Sequence, residues 1–402
     1  MSITSAMYTG ISGLSANGEA ISVLGNNISN VNTTGFKSGR MLFSDVLSSS
    51  IGNNSQVGRG VQIQAVQNNF SQGSFETTEN VTDLAIQGDS FFIVKNPGEA
   101  QRYTRAGAFS FNKDKVLVNP DGFEVMGYGI TQSTGLNNGV LANINLSASS
   151  SLTPAATSTV GMVLNLDSTA ATGSTFNNAI SMYDSLGNPH TVNFTYTKQA
   201  PAATGTVWNW ASTVDGAAGP TGTLSFDLTG ALTAQTPAAN AAQNVALPPT
   251  GVTTPQPVAF NFSGSTQFAS SSVVNSQTQN GYPPGSLAKI QVDDKGYVVG
   301  VYSNGQSQKI AQIALARFAS PLGLAKVGGT LFEETLSSGQ SMISDASTPG
   351  VGKVLSNSLE QSNVDMAAQF VKLIQAQRAF SANSKTITTA DEMTQELLTL
   401  KR

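Results

Sequence analysis

The apolar residues of this 402-residue chain keep three different rhythms. From Ser2 to about Val31 they recur with helical spacing, through Ile3, Met7, Leu14, Ile21, Leu24, Ile28 and Val31. Met7, Leu14, Ile21 and Ile28 stand seven apart, as a coiled-coil seam requires. From about Ser358 to Arg402 the same rhythm returns, with Met366, Phe370, Leu373, Phe380 and Ile387 on one stripe. Beyond Ile387 the stripe drifts to Ala390, Met393, Leu397 and Leu400, a stutter in the repeat. Ser362 with Asp365 offers a capping-box start, Pro349 and Gly350 bar a much earlier one, and Lys401 and Arg402 sit where a helix dipole favours cations. A C-terminal helix of roughly 40 residues would span ~60 Å.

Between the helical ends the rhythm is that of strands. Phe91-Phe92-Ile93-Val94 and Val116-Leu117-Val118 are apolar runs, and Asn119-Pro120-Asp121-Gly122 is a turn signal. Asn304-Gly305 between Val298–Tyr302 and Ile310–Phe318 predicts a hairpin. From about Leu146 to Pro283 the composition shifts to Ala, Thr, Ser, Gly and Pro, with Thr191–Thr197 and Val258–Phe262 still legible as strands. There, Lys198 is the only Lys or Arg, and Asp167, Asp184, Asp215 and Asp227 are the only acids. The expected fold is therefore mixed and mainly β, with long α-helical termini. A terminal helical domain (1–30 and 359–402) joins through linkers (31–70 and 340–358) to a discontinuous β domain (71–145 and 284–339). A second β domain (146–283) is inserted into that one.

The first helix is an unusual one. Gly10, Gly13, Gly18 and Gly25 interrupt it, at ~1 kcal/mol each relative to Ala, and Glu19 is its only charge. Such a helix is marginal alone and needs a partner. The C-terminal helix is the natural one, and the small, uncharged faces suit packing against further copies. The ordinary alternative is an N-terminal helix that packs on its own domain.

Charge and composition narrow the function. Only 11 % of residues are charged, against about 25 % in ordinary soluble proteins. The net charge is −4 and no Lys/Arg stripe occurs, which excludes nucleic-acid binding through phosphate neutralisation. The absence of cysteine removes disulfides, thiolate catalysis and Cys-based zinc sites. No apolar run approaches about 20 residues, so no membrane insertion is expected. The first basic residue is Lys37, so no secretory signal of the cleaved type is expected either.

Candidate chemistry is thin. His190 is the only histidine; it follows the turn Gly187-Asn188-Pro189 and reads as a strand-edge residue rather than a catalytic base. Asn112, Asp114, Asp121 and Gly122 lack the spacing of a calcium loop. Gly127-Tyr128-Gly129 lacks the rest of a dinucleotide fingerprint. Trp208 and Trp210 alternate on one face of a strand and read as core of the insert. No catalytic residue, cofactor or metal is expected.

Four separated blocks resemble the flagellar rod and hook axial protein family. They are Leu24 to Lys37, which includes Asn26, Asn27, Asn30, Gly35 and Phe36; Gly88 to Ile93; Tyr103 to Phe109; and Leu359 to Asp365, which includes Ser362, Asn363 and Val364. The inserted domain matches the length of the hook members, and Tyr183 to His190 resembles a hook block. The resemblance implies a structural subunit that stacks into a hollow, flexible tube acting as a universal joint for motor torque, with no enzymatic activity. It places the terminal helices on the inner wall, ends that fold on assembly, and an assembly interface through the stripes on both helices. Implied partners are other copies of the chain, the distal rod, hook cap and hook–filament junction proteins, and the flagellar type III export apparatus. The implied location is extracellular, in the flagellum. The alternatives are a distal rod protein of the same family and a secreted β-rich adhesin or glycan-active enzyme.

Overall fold

The computed structural model describes all residues except 1–2, 47–48, 51–55, 132–133, 204, 247–254, 347 and 401–402. The chain is mainly β, with helix α1 (Ile3–Ser29) near its start and helix α2 (Met366–Leu400) near its end. It divides into two compact units: residues 1–148, 290–300 and 308–402, and residues 149–289 with 301–307.

In the first unit, the apolar run predicted as a strand is its centre. Phe91–Lys95 lies between Glu124–Thr131 and Gln101–Thr104 and also pairs with the end of Ser307–Arg317. Residues Phe91 to Val94 are all fully buried, because this strand is covered on both faces. Phe91 and Ile93 enter a cluster with Tyr103, Phe318 and Phe332; Phe92 points the other way and meets Phe109 edge-on at 5.1 Å.

Two short antiparallel pairs join distant parts of the chain. Leu84–Gln87 pairs with Lys353–Ser356, and Phe75–Thr77 pairs with Ser358–Glu360. They lay residues 71–87 beside the segment that leads into α2. The stretch 31–70, expected as a linker, holds an antiparallel ribbon of Gly39–Asp45 and Val61–Asn68 that packs on α1.

The second unit is a β-sandwich. A five-stranded meander, Thr175–Tyr183, Pro189–Lys198, Thr206–Val214, Ala217–Phe226 and Leu232–Thr236, faces a four-stranded sheet. That sheet runs in the order Ala242–Val245, Gln256–Asn261, Thr159–Asn165, Val273–Gln279. Pro189–Lys198 alternates inward and outward side chains along its length, so one face is core and the other is solvent. Trp208 and Trp210 are both 1 % exposed, on the inward face. Trp210 packs with Phe194, Phe260 and Phe262 at centroid distances of 5.4–5.8 Å. Each such side chain contributes ~1.5–3 kcal/mol by leaving water.

Two glutamines tie the sheets together at their margins. Gln235 donates to the Phe260 carbonyl at 2.9 Å and accepts from the Phe262 amide at 2.9 Å. Gln277 donates to the Ala179 carbonyl at 3.1 Å and accepts from Asn178 at 3.0 Å. The side-chain amides supply partners that strand edges would otherwise lack.

Candidate functional site

The residues of the first and last sequence blocks converge on one joint, where α1 leaves the β unit and α2 departs from it. Helix α1 stops at Ser29 without charge or proline, so its last carbonyls need side-chain partners. Asn30 Nδ2 donates to the Asn26 carbonyl at 2.9 Å and to Asn26 Oδ1 at 2.8 Å. Asn30 Oδ1 in turn accepts from the Thr33 hydroxyl at 3.0 Å. Gly35 then turns the chain at φ 68°, and its amide donates to the Glu360 carbonyl at 2.7 Å. A Cβ there would meet the Ala106 backbone at 2.4 Å, so both conformation and space call for glycine.

At the centre sits a buried charge cluster. Lys37 Nζ lies 2.6 Å from Glu360 Oε1 and donates to the Ser71 carbonyl at 2.8 Å. Glu360 Oε1 also accepts from the Gly73 amide at 2.9 Å, and Oε2 lies 3.4 Å from Arg105 Nη1. The side chains of Lys37 and Glu360 are 0 % exposed and that of Arg105 is 1 % exposed. Burial pushes the Lys37 ammonium and the Arg105 guanidinium down from their ordinary values, while the Glu360 carboxylate opposes the shift in both. The 2.6 Å contact is surrounded by three further polar partners, the Ser71 carbonyl, the Gly73 amide and Arg105. Arg105 also stacks over the Phe91 ring at 4.9 Å, which anchors the cluster to the central strand.

Asparagines complete the joint by standing in for backbone. Asn363 Oδ1 accepts from the Ser38 amide at 2.9 Å, while its Nδ2 donates to the carbonyls of Asn69 at 2.8 Å and Ser71 at 3.1 Å. Asn27 accepts from the Gly39 amide at 2.9 Å and donates to the Gly39 carbonyl at 2.7 Å, as a paired strand would. It also reaches Gln369 of α2 at 3.2 Å. Lys326 donates to the Lys37 carbonyl at 2.8 Å and lies over the Phe36 ring at 4.9 Å. Val364 is half-buried here.

The capping expectation is corrected. Asp365 is itself the cap of α2, since its Oδ1 accepts from the Ala368 amide at 3.1 Å. Ser362 instead accepts from the Val364 amide at 3.4 Å, because the chain is still extended at that point. The basic pair Lys401 and Arg402 falls outside the described residues.

Beyond the joint, α1 and α2 run antiparallel along each other. Gly10 faces Ile387, Gly13 faces Asn383 and Gly18 faces Phe380. The buried line of α1 is Gly10, Gly13, Ala16, Ala20 and Asn27. Met7, Leu14, Ile21, Leu24 and Ile28 lie half-buried to its side. The small residues form the contact because they let the helix backbones approach, with the bulk supplied by α2. On α2, Leu373, Phe380 and Ile387 are half-buried, whereas Met366 and Phe370 are exposed together with Val371 and Ile374. The side chains of Ile3 and Leu397 lie outside the described residues. A groove of about 870 Å³ opens between α1, the ribbon and α2, walled by Leu24, Met41, Phe43 and Ala376.

Sequence reasoning found the joint's asparagines and Lys37 but not their partners Glu360, Arg105, Ser71 and Gly73. A usable signal was present: Arg105 and Glu360 lie inside the family-like blocks Tyr103 to Phe109 and Leu359 to Asp365.

In the second unit, His190 is 3 % exposed and lies between two carboxylates. Its Nδ1 is 2.7 Å from Asp215 and its Nε2 is 3.4 Å from Asp184. Burial alone would raise Asp184, but hydrogen bonds from Asn188, the Leu186 amide and His190 outweigh it and hold its pKa at about 2. These contacts close a hairpin turn. Among the described residues no group of three or more His, Asp or Glu could hold a metal ion, and no helix is long and apolar enough to cross a membrane.

Four family descriptions match along the chain. Residues 7–37 match the flagella basal body rod protein family, and 85–163 match the flagellar hook protein FlgE/F/G D1 domain. Residues 145–282 match the flagellar basal body protein FlaE D2 domain, and 355–400 the C-terminal family of flagellar basal body rod FlgEFG proteins. The flagellar hook protein FlgE of Borreliella burgdorferi is 34 % identical over 98 % of this chain and 99 % of its own length. Those of Rhizobium meliloti and Escherichia coli are 34 % and 31 % identical over 100 % and 98 % of this chain, each along its whole length. Among solved structures, the Helicobacter pylori flagellar hook protein FlgE2 aligns with a TM-score of 0.54 at 13 % identity. It covers 69 % of this chain and 98 % of its own, a likeness of fold.

Proposed function

The chain belongs to the flagellar hook protein family, and we propose that it assembles with copies of itself into the hook, a hollow flexible tube that passes torque from rod to filament. The observation that carries this reading is the pair of terminal helices joined at one polar knot. They present exposed Met366, Phe370, Val371 and Ile374 on one side, beside an open groove. An extended apolar stripe of this kind asks for cover by another chain.

In this reading the helices (1–30 and 359–402) form the inner wall. The β domain (71–145 and 284–339) forms the middle layer and the insert (146–283) the outer one, with 31–70 and 340–358 linking inner and middle layers. The stripes on both helices then serve as the assembly interface, including Ile3, Met7, Leu14, Ile21 and Ile28 on the first and Leu373, Phe380, Ile387 and Leu397 on the second. Bending requires outer layers that repack between near-equal states over a continuous inner wall. Its partners are the distal rod, hook cap and hook–filament junction proteins, and export proceeds by the flagellar type III route.

Electron microscopy of concentrated purified protein tests the proposal. Curved hollow tubes are expected. A chain that stays monomeric at every concentration and binds glycans instead would overturn it in favour of an adhesin.

A further inference from the structure

Helix α1 offers its partner a smooth surface. Gly10, Gly13, Ala16 and Ala20 make a line without large side chains, against which Ile387 and Asn383 of α2 seat at the two glycines, so the seam gives the observed register a limited preference over one displaced by a helical turn of ~5.4 Å. One neutral hydrogen bond, Asn27 to Gln369 at 3.2 Å, crosses at the joint end of this seam, and a charged tie outside it adds a further hold on the axial register.

We propose that Glu360 is the positioning residue that sets this register, although it touches neither helix. It sits six residues before α2 begins, and Lys37 sits eight residues after α1 ends. Its carboxylate holds Lys37 at 2.6 Å, the Gly73 amide at 2.9 Å and Arg105 at 3.4 Å, while its carbonyl holds the Gly35 amide at 2.7 Å. Both chain segments that carry the helices are therefore tied to one fully buried group. Arg105 over Phe91 fixes that group to the central strand. Sliding either helix by a turn pulls Lys37 away from Glu360 and leaves buried charges unpaired, which is the situation that makes buried ion pairs effective register devices. Asn27 adds a second, weaker pin, bridging Gly39 and Gln369.

The inference rests on the hook reading only for its consequence in assembly; the register itself is a property of one chain. The absence of cysteine makes engineered cross-links clean to read. In the full chain, Gly13→Cys with Asn383→Cys reports the observed register, because a Cβ at residue 13 lies 2.9 Å from Asn383 Cγ. Gly13→Cys with Ile387→Cys reports a one-turn slip. Oxidation is followed as intramolecular product, in dilute solution and at polymerising concentration.

The expected result is that adding Glu360→Gln cuts the first cross-link about tenfold relative to the second, while a cooperative melting transition by circular dichroism is retained. Because a single change here also destabilises, a second variant combines Lys37→Met, Arg105→Met and Glu360→Leu, which removes the charges together. It is expected to fold and to cross-link in both registers. Undiminished preference for the first cross-link in either variant, with only a lower melting temperature, would reduce Glu360 to a structural role and overturn the proposal. A parent chain that never forms the first cross-link would overturn it as well. Neither result bears on whether the protein forms tubes, which microscopy reads separately.

Discussion

One turn recurs through the molecule with the same chemistry each time. Asn119, Asp184, Asp227 and Asp293 each use Oδ1 to accept the amide four residues on, and a glycine with φ between 74° and 86° stands three residues on. The side chain satisfies a backbone amide and the glycine supplies the left-handed conformation. Asn112 builds the same turn, but Lys115 occupies the glycine position at φ 59°. Lys115→Gly is expected to raise stability by ~0.5 kcal/mol, the relief of left-handed strain less the added freedom of the unfolded chain; chemical denaturation checks this. At Asp184 the folded pKa of about 2 lies below the ordinary 3.8. Its stabilisation is complete above pH ~4 and is lost as pH falls through ~2. Trp208 and Trp210 are the only tryptophans, both buried in the sandwich, so fluorescence melting reads that unit alone. Between pH ~4 and ~2 its melting temperature should fall, and Asp184→Asn should be less stable at pH ~6 but flatter across that range.

At the scale of elements, pattern and packing divide the explanation. The strand Phe91–Lys95 followed from a continuous apolar run, and the terminal helices followed from periodicity. The contact line on α1 was harder to read, because a hydrophobic stripe draws attention to Met7, Leu14 and Ile21 while glycine and alanine occupy the seam. Phe380 supplies bulk opposite Gly18, its ring 3.8 Å from where a Cβ there would stand. Phe380→Asp should abolish tube formation, since a carboxylate in the seam must be desolvated without a partner. The tryptophan melting transition should stay within a degree or two of the parent; a large drop would show that the two units are energetically coupled.

For the whole molecule, the question is whether the β units stand without the helices. The central strand, its aromatic cluster and the sandwich have cores of their own. Removing the last 30 or so residues leaves the Lys37–Glu360–Arg105 cluster and the cap of α2 in place. The truncated chain is expected to be soluble, to keep its β circular dichroism, and to remain monomeric in sedimentation at concentrations where the full chain polymerises. Loss of the β signal would mean that the helices are part of the folding core.

Local chemistry was legible in the sequence alone. Two helical ends, a mainly β interior, the turn at Asn119 to Gly122 and a tryptophan-centred core each depend on residues close together in the chain or on a repeating face. The joint was not legible in the same way. Lys37 and Glu360 are 323 positions apart, and nothing local to either says that they meet. Two short strand pairs lay residues 71–87 alongside 353–360, and Lys37 joins them through the Ser71 carbonyl while the Gly35 amide meets the Glu360 carbonyl. Tertiary structure decided that, since burying a charge is tolerable only where a fold has already brought its partner and removed the water around both.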